Sequence, residues 1–272
     1  MPSRRSERDR PVLLLKEIMK ALILAAGRGT RMKDLTDNTP KPMIEVGKRH
    51  ILTWILGEIH AAGIDHFVVV TGYHANIIED HFGDGSGHGF RVDYVRQTEL
   101  NGTAKATLLA REAIGECDFF LSYGDIITDP INYTSLIARF RETGADAIMS
   151  VNYVEDPYRG SAILFDEETG RISRMIEKPP QGTVPSHWNS SGLFCFKPDF
   201  FDHTVTAPKS ARGEYELAGA IQSYIEAEKT FLAHKIEGFW GDIGTPEDLE
   251  SMNRLLESRQ REASPAAGDP VS

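Results

Sequence analysis

The sequence predicts an α/β protein of three layers, α/β/α, with a mixed but mostly parallel central sheet. Three observations lead there. Apolar runs of strand length alternate with stretches of helical period between Lys20 and Tyr123, as in parallel strands joined by crossover helices. The first run ends at Gly27 and Gly29 and the fourth at Gly124-Asp125, the strand ends where open parallel sheets bind ligands. From Ala147 onward strand-like runs follow one another with fewer helices between them.

Taken in order, residues 21–26 form a buried strand. Residues 50–63 place apolar side chains at 51, 52, 55, 56, 59 and 62 and stop at a glycine, which defines an amphipathic helix. Residues 67–71 are a strand, 75–82 a short helix, 92–95 a strand, 103–114 an Ala- and Leu-rich helix and 118–123 a strand. The second half has strand-like runs at 147–154, 161–165, 171–177 and 192–196, then helices at 215–228 and 246–258. One globular unit thus spans residues 19–258, with halves at about 19–135 and 136–258 sharing one sheet and facing one cleft. No internal repeat emerges, and no hexapeptide pattern.

The 272 residues are 40% hydrophobic and 26% charged, an ordinary globular composition able to bury a substantial core. A formal net charge of −10 argues against a nucleic-acid partner, because no basic face exists to neutralise a run of phosphates. Any bound anion must meet local cations or metal. Cys117 and Cys195 have neither metal-ligand spacing nor a disulfide framework, so a cytoplasmic setting is expected. No apolar segment reaches membrane-spanning length, so no membrane partner is expected. Residues 1–18 carry Arg4, Arg5, Arg8 and Arg10 before the short run Val12-Leu13-Leu14-Leu15. That run is too short for a signal-peptide core, and the segment is expected to be a disordered extension without catalytic role. The tail spans residues 259–272 and is expected to be disordered from about Arg261.

The chemistry concentrates between Lys20 and Pro42. After the strand, Gly27-Arg28-Gly29-Thr30-Arg31-Met32 lets the backbone bend and turn its N–H groups toward an anion. Arg31 closes the loop, and Lys41 lies between Pro40 and Pro42, which stiffen the segment presenting its ammonium. Strand, glycine loop and two cations read as a phosphate clamp. It is neither common clamp: the dinucleotide fingerprint needs glycine where Met32 stands, and the P-loop pattern is absent.

The run Leu24-Ala25-Ala26-Gly27-Arg28-Gly29-Thr30-Arg31-Met32 followed by Pro40-Lys41-Pro42 resembles the opening signature of the sugar-1-phosphate nucleotidyltransferases, which make nucleotide sugars. The resemblance covers about residues 19–256 and implies a Rossmann-like fold. It implies that Leu24, Ala25, Ala26, Gly27, Gly29, Thr30 and Arg31 bind the nucleotide, and that Arg31, Lys41, Asp125 and Lys178 are catalytic. Asp125 and Asp242, the latter in Phe239-Trp240-Gly241-Asp242-Ile243-Gly244-Thr245-Pro246, look like the acid pair that holds Mg²⁺, an ion suited to hard oxygen ligands. Thr245 and Pro246 by themselves suit a helix cap and first turn.

Gln97-Thr98-Glu99-Leu100-Asn101-Gly102-Thr103 resembles the base-reading segment, with Gln97 and Gly102 on the base and Thr103 also capping the next helix. A Gln carboxamide suits the O4 and N3–H edge of uracil or thymine. For the acceptor, Tyr123, Gly124, Glu177, Lys178 (in Glu177-Lys178-Pro179), Ser190 and Arg212 (in Arg212-Gly213-Glu214) are implied to bind the sugar phosphate. Many relatives have Asn where this chain has Ser190, with Asn189 one residue earlier, and the departure leaves the sugar's 2-substituent open.

The implied partners are a nucleoside triphosphate, UTP or dTTP by preference, and a sugar 1-phosphate; homo-oligomer formation stays open. In the implied reaction a sugar-phosphate oxygen attacks the α-phosphorus and pyrophosphate leaves. A phosphate monoester is already anionic near neutral pH, so no general base is needed and no role is expected for His50, His60 or His66. The rival readings are a mannose-1-phosphate guanylyltransferase, a cytidylyltransferase acting on a non-sugar phosphate, and a non-catalytic relative, the last disfavoured because every clamp and metal residue is present.

Overall fold

The computed structural model describes residues 19–210 and 213–263. The expectations for residues 1–18, for 264–272 and for Arg212 lie outside the described residues. In chain order the elements are β1 (Lys20–Ala25), β2 (Glu45–Val46), β3 (Arg49–His50), α1 (Ile51–Ala61), β4 (His66–Thr71), α2 (Ala75–Phe82), β5 (Arg91–Arg96), α3 (Thr103–Leu109), α4 (Arg111–Ile114), β6 (Phe119–Tyr123) and β7 (Ile126–Thr128). Then come α5 (Ile131–Thr143), β8 (Ala147–Tyr153), β9 (Ser161–Phe165), β10 (Ile172–Glu177), β11 (Trp188–Phe196), α6 (Phe200–Thr206), α7 (Leu217–Glu226), β12 (Phe231–Lys235), β13 (Trp240–Asp242) and α8 (Pro246–Ala263).

One nine-stranded mixed sheet runs β10-β9-β11-β6-β1-β4-β5, with β8 pairing both β11 and β12. Strands β6, β1, β4 and β5 are parallel, whereas β11 is antiparallel to β6, β8 and β9. Side chains alternate between the two faces. Ala21, Ile23, Phe67 and Val69 join a core with α1, α2, α5 and α8, while Leu22, Val68 and Val70 join a second core with α3, α4, α6 and α7. Burial on both faces explains why β1 and β4 read as continuous apolar runs. The expected Rossmann-like α/β/α architecture with a mixed sheet is the observed one.

Several elements differ from the sequence reading. The helix expected at 103–114 is two helices, because Ala110 leaves helical geometry (φ −82°, ψ −4°) between α3 and α4. The helix expected from 215 begins at Leu217, since Tyr215 is held extended by a bridge to Lys209 and a hydrogen bond to the Asn101 carbonyl. Residues 135 and 136, where the boundary between halves is expected, lie inside α5. α8 continues to Ala263, past the expected start of disorder at about Arg261, and Arg259 Nη2 donates to Asp129 Oδ2 at 2.8 Å. The helices α5 and α6 and the strands β2, β3, β7, β12 and β13 were not anticipated.

Candidate active site

β1 delivers the glycine loop to the carboxyl edge of the sheet. Gly29 takes a left-handed conformation (φ +65°), and a Cβ there would stand 2.9 Å from Lys41 Cβ and 3.1 Å from Thr36 Cγ2. Glycine is therefore required twice over, by torsion and by the closeness of Lys41. The Gly29 carbonyl accepts from Met32 N–H at 2.8 Å and from the Thr36 hydroxyl at 3.2 Å, which fixes the bend. Lys41 opens a short 3-10 turn, with Pro40 extended before it (φ −65°, ψ 142°) and Pro42 after it. The geometry places a nearly buried ammonium beneath the loop.

A small antiparallel ribbon brings the two acids together. After β6 the chain turns at Gly124, whose N–H donates to the Leu24 carbonyl at 2.9 Å, and enters β7. β13 pairs with β7 in the register Asp242↔Ile126, and Ile243 N–H donates to the Asp125 carbonyl at 3.0 Å. Asp125 and Asp242 thus meet at one end of the ribbon despite their separation in sequence. Lys41 Nζ lies 2.5 Å from Asp125 Oδ2 and 3.6 Å from Asp242 Oδ1. Asp242 Oδ1 is buried and has no hydrogen-bond partner among the described residues. Burial, then the neighbouring Asp125 carboxylate, raise the Asp242 pKa above the usual carboxylate range, against the opposing pull of Lys41 and Arg31. The Arg31 guanidinium lies over Gly244, where a Cβ would come within 3.0 Å of it. Thr245 and Asp248 cap α8 reciprocally, Asp248 N–H donating to Thr245 Oγ1 at 3.2 Å and Thr245 N–H to Asp248 Oδ2 at 2.8 Å.

Beyond β5, Gln97 is buried, and its Nε2 donates to Asn101 Oδ1 and to the Gly102 carbonyl, both at 3.3 Å. Gly102 (φ +116°) lies against Tyr215, whose carbonyl oxygen would sit 2.3 Å from a Cβ at this position. Thr103 does not cap its own helix as expected. Gly102 occupies the cap position of α3, and the Thr103 hydroxyl instead accepts from Leu217 N–H of α7 at 2.8 Å.

On the acceptor side, β11 carries a bulge between Ser190 and Phe194. Within it Gly192 (φ +83°) comes so close to the Tyr123 ring that a Cβ would stand 2.8 Å away. β11 pairs with β8 on both sides of the bulge, with β9 before it at Asn189 and with β6 after it from Leu193 to Phe196. Asn189 is engaged by the strands: its Oδ1 accepts from Ser161 N–H at 2.9 Å and its Nδ2 donates to Asn152 Oδ1 at 3.0 Å. Ser190 lines the cavity, its Oγ buried and without a hydrogen-bond partner among the described residues. Ser161 donates to Glu177 Oε2 at 2.5 Å at the end of β10. Lys178 is exposed, takes a positive φ of 44°, and is held by its N–H on the Gly160 carbonyl at 2.7 Å. Burial, then nearby acids, push the Tyr123 hydroxyl well above its ordinary pKa, so it stays protonated.

A cavity of about 750 Å³ joins all of these groups, from Leu24 through the glycine loop, Gln97, Gly102 and Thr103 to Tyr123, Gly124, Asp125, Glu177, Lys178, Ser190 and Asp242. Every site residue expected from sequence that lies in the described chain lines it. Among the lining residues that sequence reading missed are Asp156, Arg159, Glu216 and Trp240. Trp240 Nε1 donates to the Ser191 carbonyl at 2.8 Å, tying β13 to β11. Its signal was the aromatic directly before Gly241-Asp242. Arg159 rides on a short turn before Gly160, which no motif marks.

The comparisons agree with this geometry. The family model described as nucleotidyl transferase matches residues 20–259. A UTP–glucose-1-phosphate uridylyltransferase of Haloferax volcanii is 36% identical over 246 residues, covering 90% of this chain and 99% of that protein. A glucose-1-phosphate thymidylyltransferase of Streptomyces griseus is 32% identical over 238 residues, covering 88% of this chain and 66% of that protein. A solved UDP-glucose pyrophosphorylase complexed with UDP-glucose superposes with a TM-score of 0.80 at 22% identity, covering 89% of this chain and 99% of that one, and shares the fold. A glycine loop, a bridging lysine and a paired-acid ribbon in one cleft, within a sequence matched almost end to end by that family model, make this chain a member of the nucleotidyl transferase family.

Proposed function

We propose that this protein transfers a nucleotidyl group from UTP or dTTP to a sugar 1-phosphate, releasing pyrophosphate. The observation that carries the reading is the convergence of Lys41, Asp125 and Asp242 below the glycine loop, in a cavity that continues to Glu177, Lys178 and Ser190. Both reactants are anions, so the difficulty is their mutual repulsion. Catalysis then consists of positioning and charge neutralisation. Backbone N–H groups of residues 27–31 and the Arg31 guanidinium receive the triphosphate, Lys41 neutralises charge at the α-phosphate, and Lys178 guides the acceptor phosphate. Glu177 accepts hydrogen bonds from sugar hydroxyls, and the Gln97 carboxamide matches the O4 and N3–H edge of uracil or thymine.

Asp125 and Asp242 fit a Mg²⁺ ion, since both offer hard oxygen donors and Asp242 Oδ1 is buried without a hydrogen-bond partner. When bound, the ion supplies further charge neutralisation at the phosphates. Lys41, which bridges the acids in this structure, holds the pair together.

Pyrophosphate release measured over the four triphosphates and a panel of sugar 1-phosphates tests the reading. UTP or dTTP with glucose 1-phosphate is expected to give the fastest release. A preference for GTP with mannose 1-phosphate, or for CTP with a non-sugar phosphate, would replace the assignment with that rival, and release from no combination would remove it.

A further inference from the structure

Two segments that line the cavity, residues 100–103 and 214–218, are stitched to each other. Tyr215 N–H donates to the Asn101 carbonyl at 2.9 Å, Ala104 N–H donates to the Tyr215 carbonyl at 2.8 Å, and Leu217 N–H donates to Thr103 Oγ1 at 2.8 Å. Gly102 fits the seam only because it has no Cβ. α7 has no side-chain cap of its own, since Glu216 at its cap position makes no capping bond, so Thr103 supplies the missing acceptor from another element. On one side of the seam stands Gln97, held by the Gly102 carbonyl. On the other, Glu216, Leu217 and Ala218 line the cavity, and α7 is tied to β10, the strand that ends at Glu177, by Gln222 Oε1 accepting from Met175 N–H at 3.1 Å.

We propose that Thr103 is a positioning residue for the acceptor side of the reaction: its hydroxyl sets the start of α7 and thereby the placement of Glu216, Leu217 and Ala218 against the sugar phosphate. Resting on the nucleotidyl-transfer reading, this deepens it. It reassigns Thr103, which sequence alone placed on the nucleotide. The Thr103 hydroxyl oxygen accepts from Leu217 N–H while the Tyr215 carbonyl accepts from Ala104 N–H at the start of its own helix, so the side chain acts through α7.

The test compares wild type with Thr103→Val, which keeps the shape and removes the acceptor, and Thr103→Ser, which restores it. Thr103→Val is expected to raise KM for the sugar 1-phosphate roughly five- to tenfold, the scale of one lost hydrogen bond, with kcat and the triphosphate KM within about twofold of wild type. Thr103→Ser is expected to return KM to near wild type. A triphosphate KM that rises alone or in equal measure, or a Tm loss with both KM values unchanged, overturns the inference. Amide exchange at Leu217 reads the same bond without turnover. Faster exchange in Thr103→Val is expected even if wild type proves inactive, an outcome that would remove the nucleotidyl-transfer reading alone, and unchanged exchange overturns the positioning role. Should Thr103→Val not fold, Thr103→Ala is read by the same criteria.

Discussion

In the half of the sheet built from β1, β4, β5 and β6, strands run parallel in unbroken register, and the cavity is lined by a glycine loop and the turn at Gly124 beside Arg31, Lys41 and Gln97. In the half around β8, β9, β10 and β11, antiparallel strands break register at the β11 bulge, and the cavity is lined by side chains such as Glu177, Lys178 and Ser190. The difference follows from what each half presents to its ligand. Anionic oxygens can be met by N–H groups, which any sequence carries once glycine permits the bend. Sugar hydroxyls differ from one another only by position, so they call for individual side chains held at fixed points. The ribbon of β7 and β13 joins the two halves, with Asp125 following a parallel strand and Asp242 tied through Trp240 to β11.

That contrast can be broken or sharpened by substitution. The largest effect is expected where the halves meet. Asp125→Asn and Arg31→Ala should each lower kcat by about 10²–10³-fold while circular dichroism and Tm show a folded protein; a change confined to the sugar-phosphate KM would place Arg31 on the wrong side. Next comes the backbone half. Gly29→Ala forces a left-handed alanine into Lys41, at a cost of about 1–2 kcal/mol from the torsion alone, and should raise the triphosphate KM more than the acceptor KM. Ser190→Ala is the mirror case: it removes an unpartnered hydroxyl in the acceptor region, so stability should hold while the sugar-phosphate KM rises by a few fold. Equal responses of both KM values in these two variants would erase the proposed division of labour.

The smallest effect concerns stability in the acceptor half. Burial first, then the Arg139 guanidinium, push the His234 pKa down from 6.5 to about 4. Below pH 6.5 the unfolded chain takes up a proton that the native state refuses, so stability falls as pH drops from 6.5 toward 4 and is fully present above 6.5. Thermal unfolding of His234→Gln should show a flatter Tm profile in that window; an unchanged slope would assign the acid sensitivity to other groups.

The legibility of the sequence follows the same divide. The clamp could be read because its parts are contiguous: a strand buried on both faces is an apolar run, and a bent anion loop needs glycines at its end. Strand β1 and helices α1 and α2 showed their periods directly. The ribbon could not be read, because β7 and β13 are three residues each and gain their stability from pairing across the chain. Helix α5 escaped notice because Asn132, a polar residue, sits on its buried face and bonds to Thr128 and to the Glu237 carbonyl. Thr103 was misread for a related reason. A threonine at a helix start normally caps that helix, and only the three-dimensional approach of Tyr215 at Gly102 redirects its hydroxyl to α7.

The pairing of two distant acids through Lys41 is the centre of the account, and Asp242→Asn probes it most directly, because the substitution keeps the shape and abolishes the charge. Pyrophosphate release from UTP or dTTP with glucose 1-phosphate, measured beside wild type at matched Tm, is predicted to fall by at least about 10²-fold. Release at the wild-type rate would contradict the account.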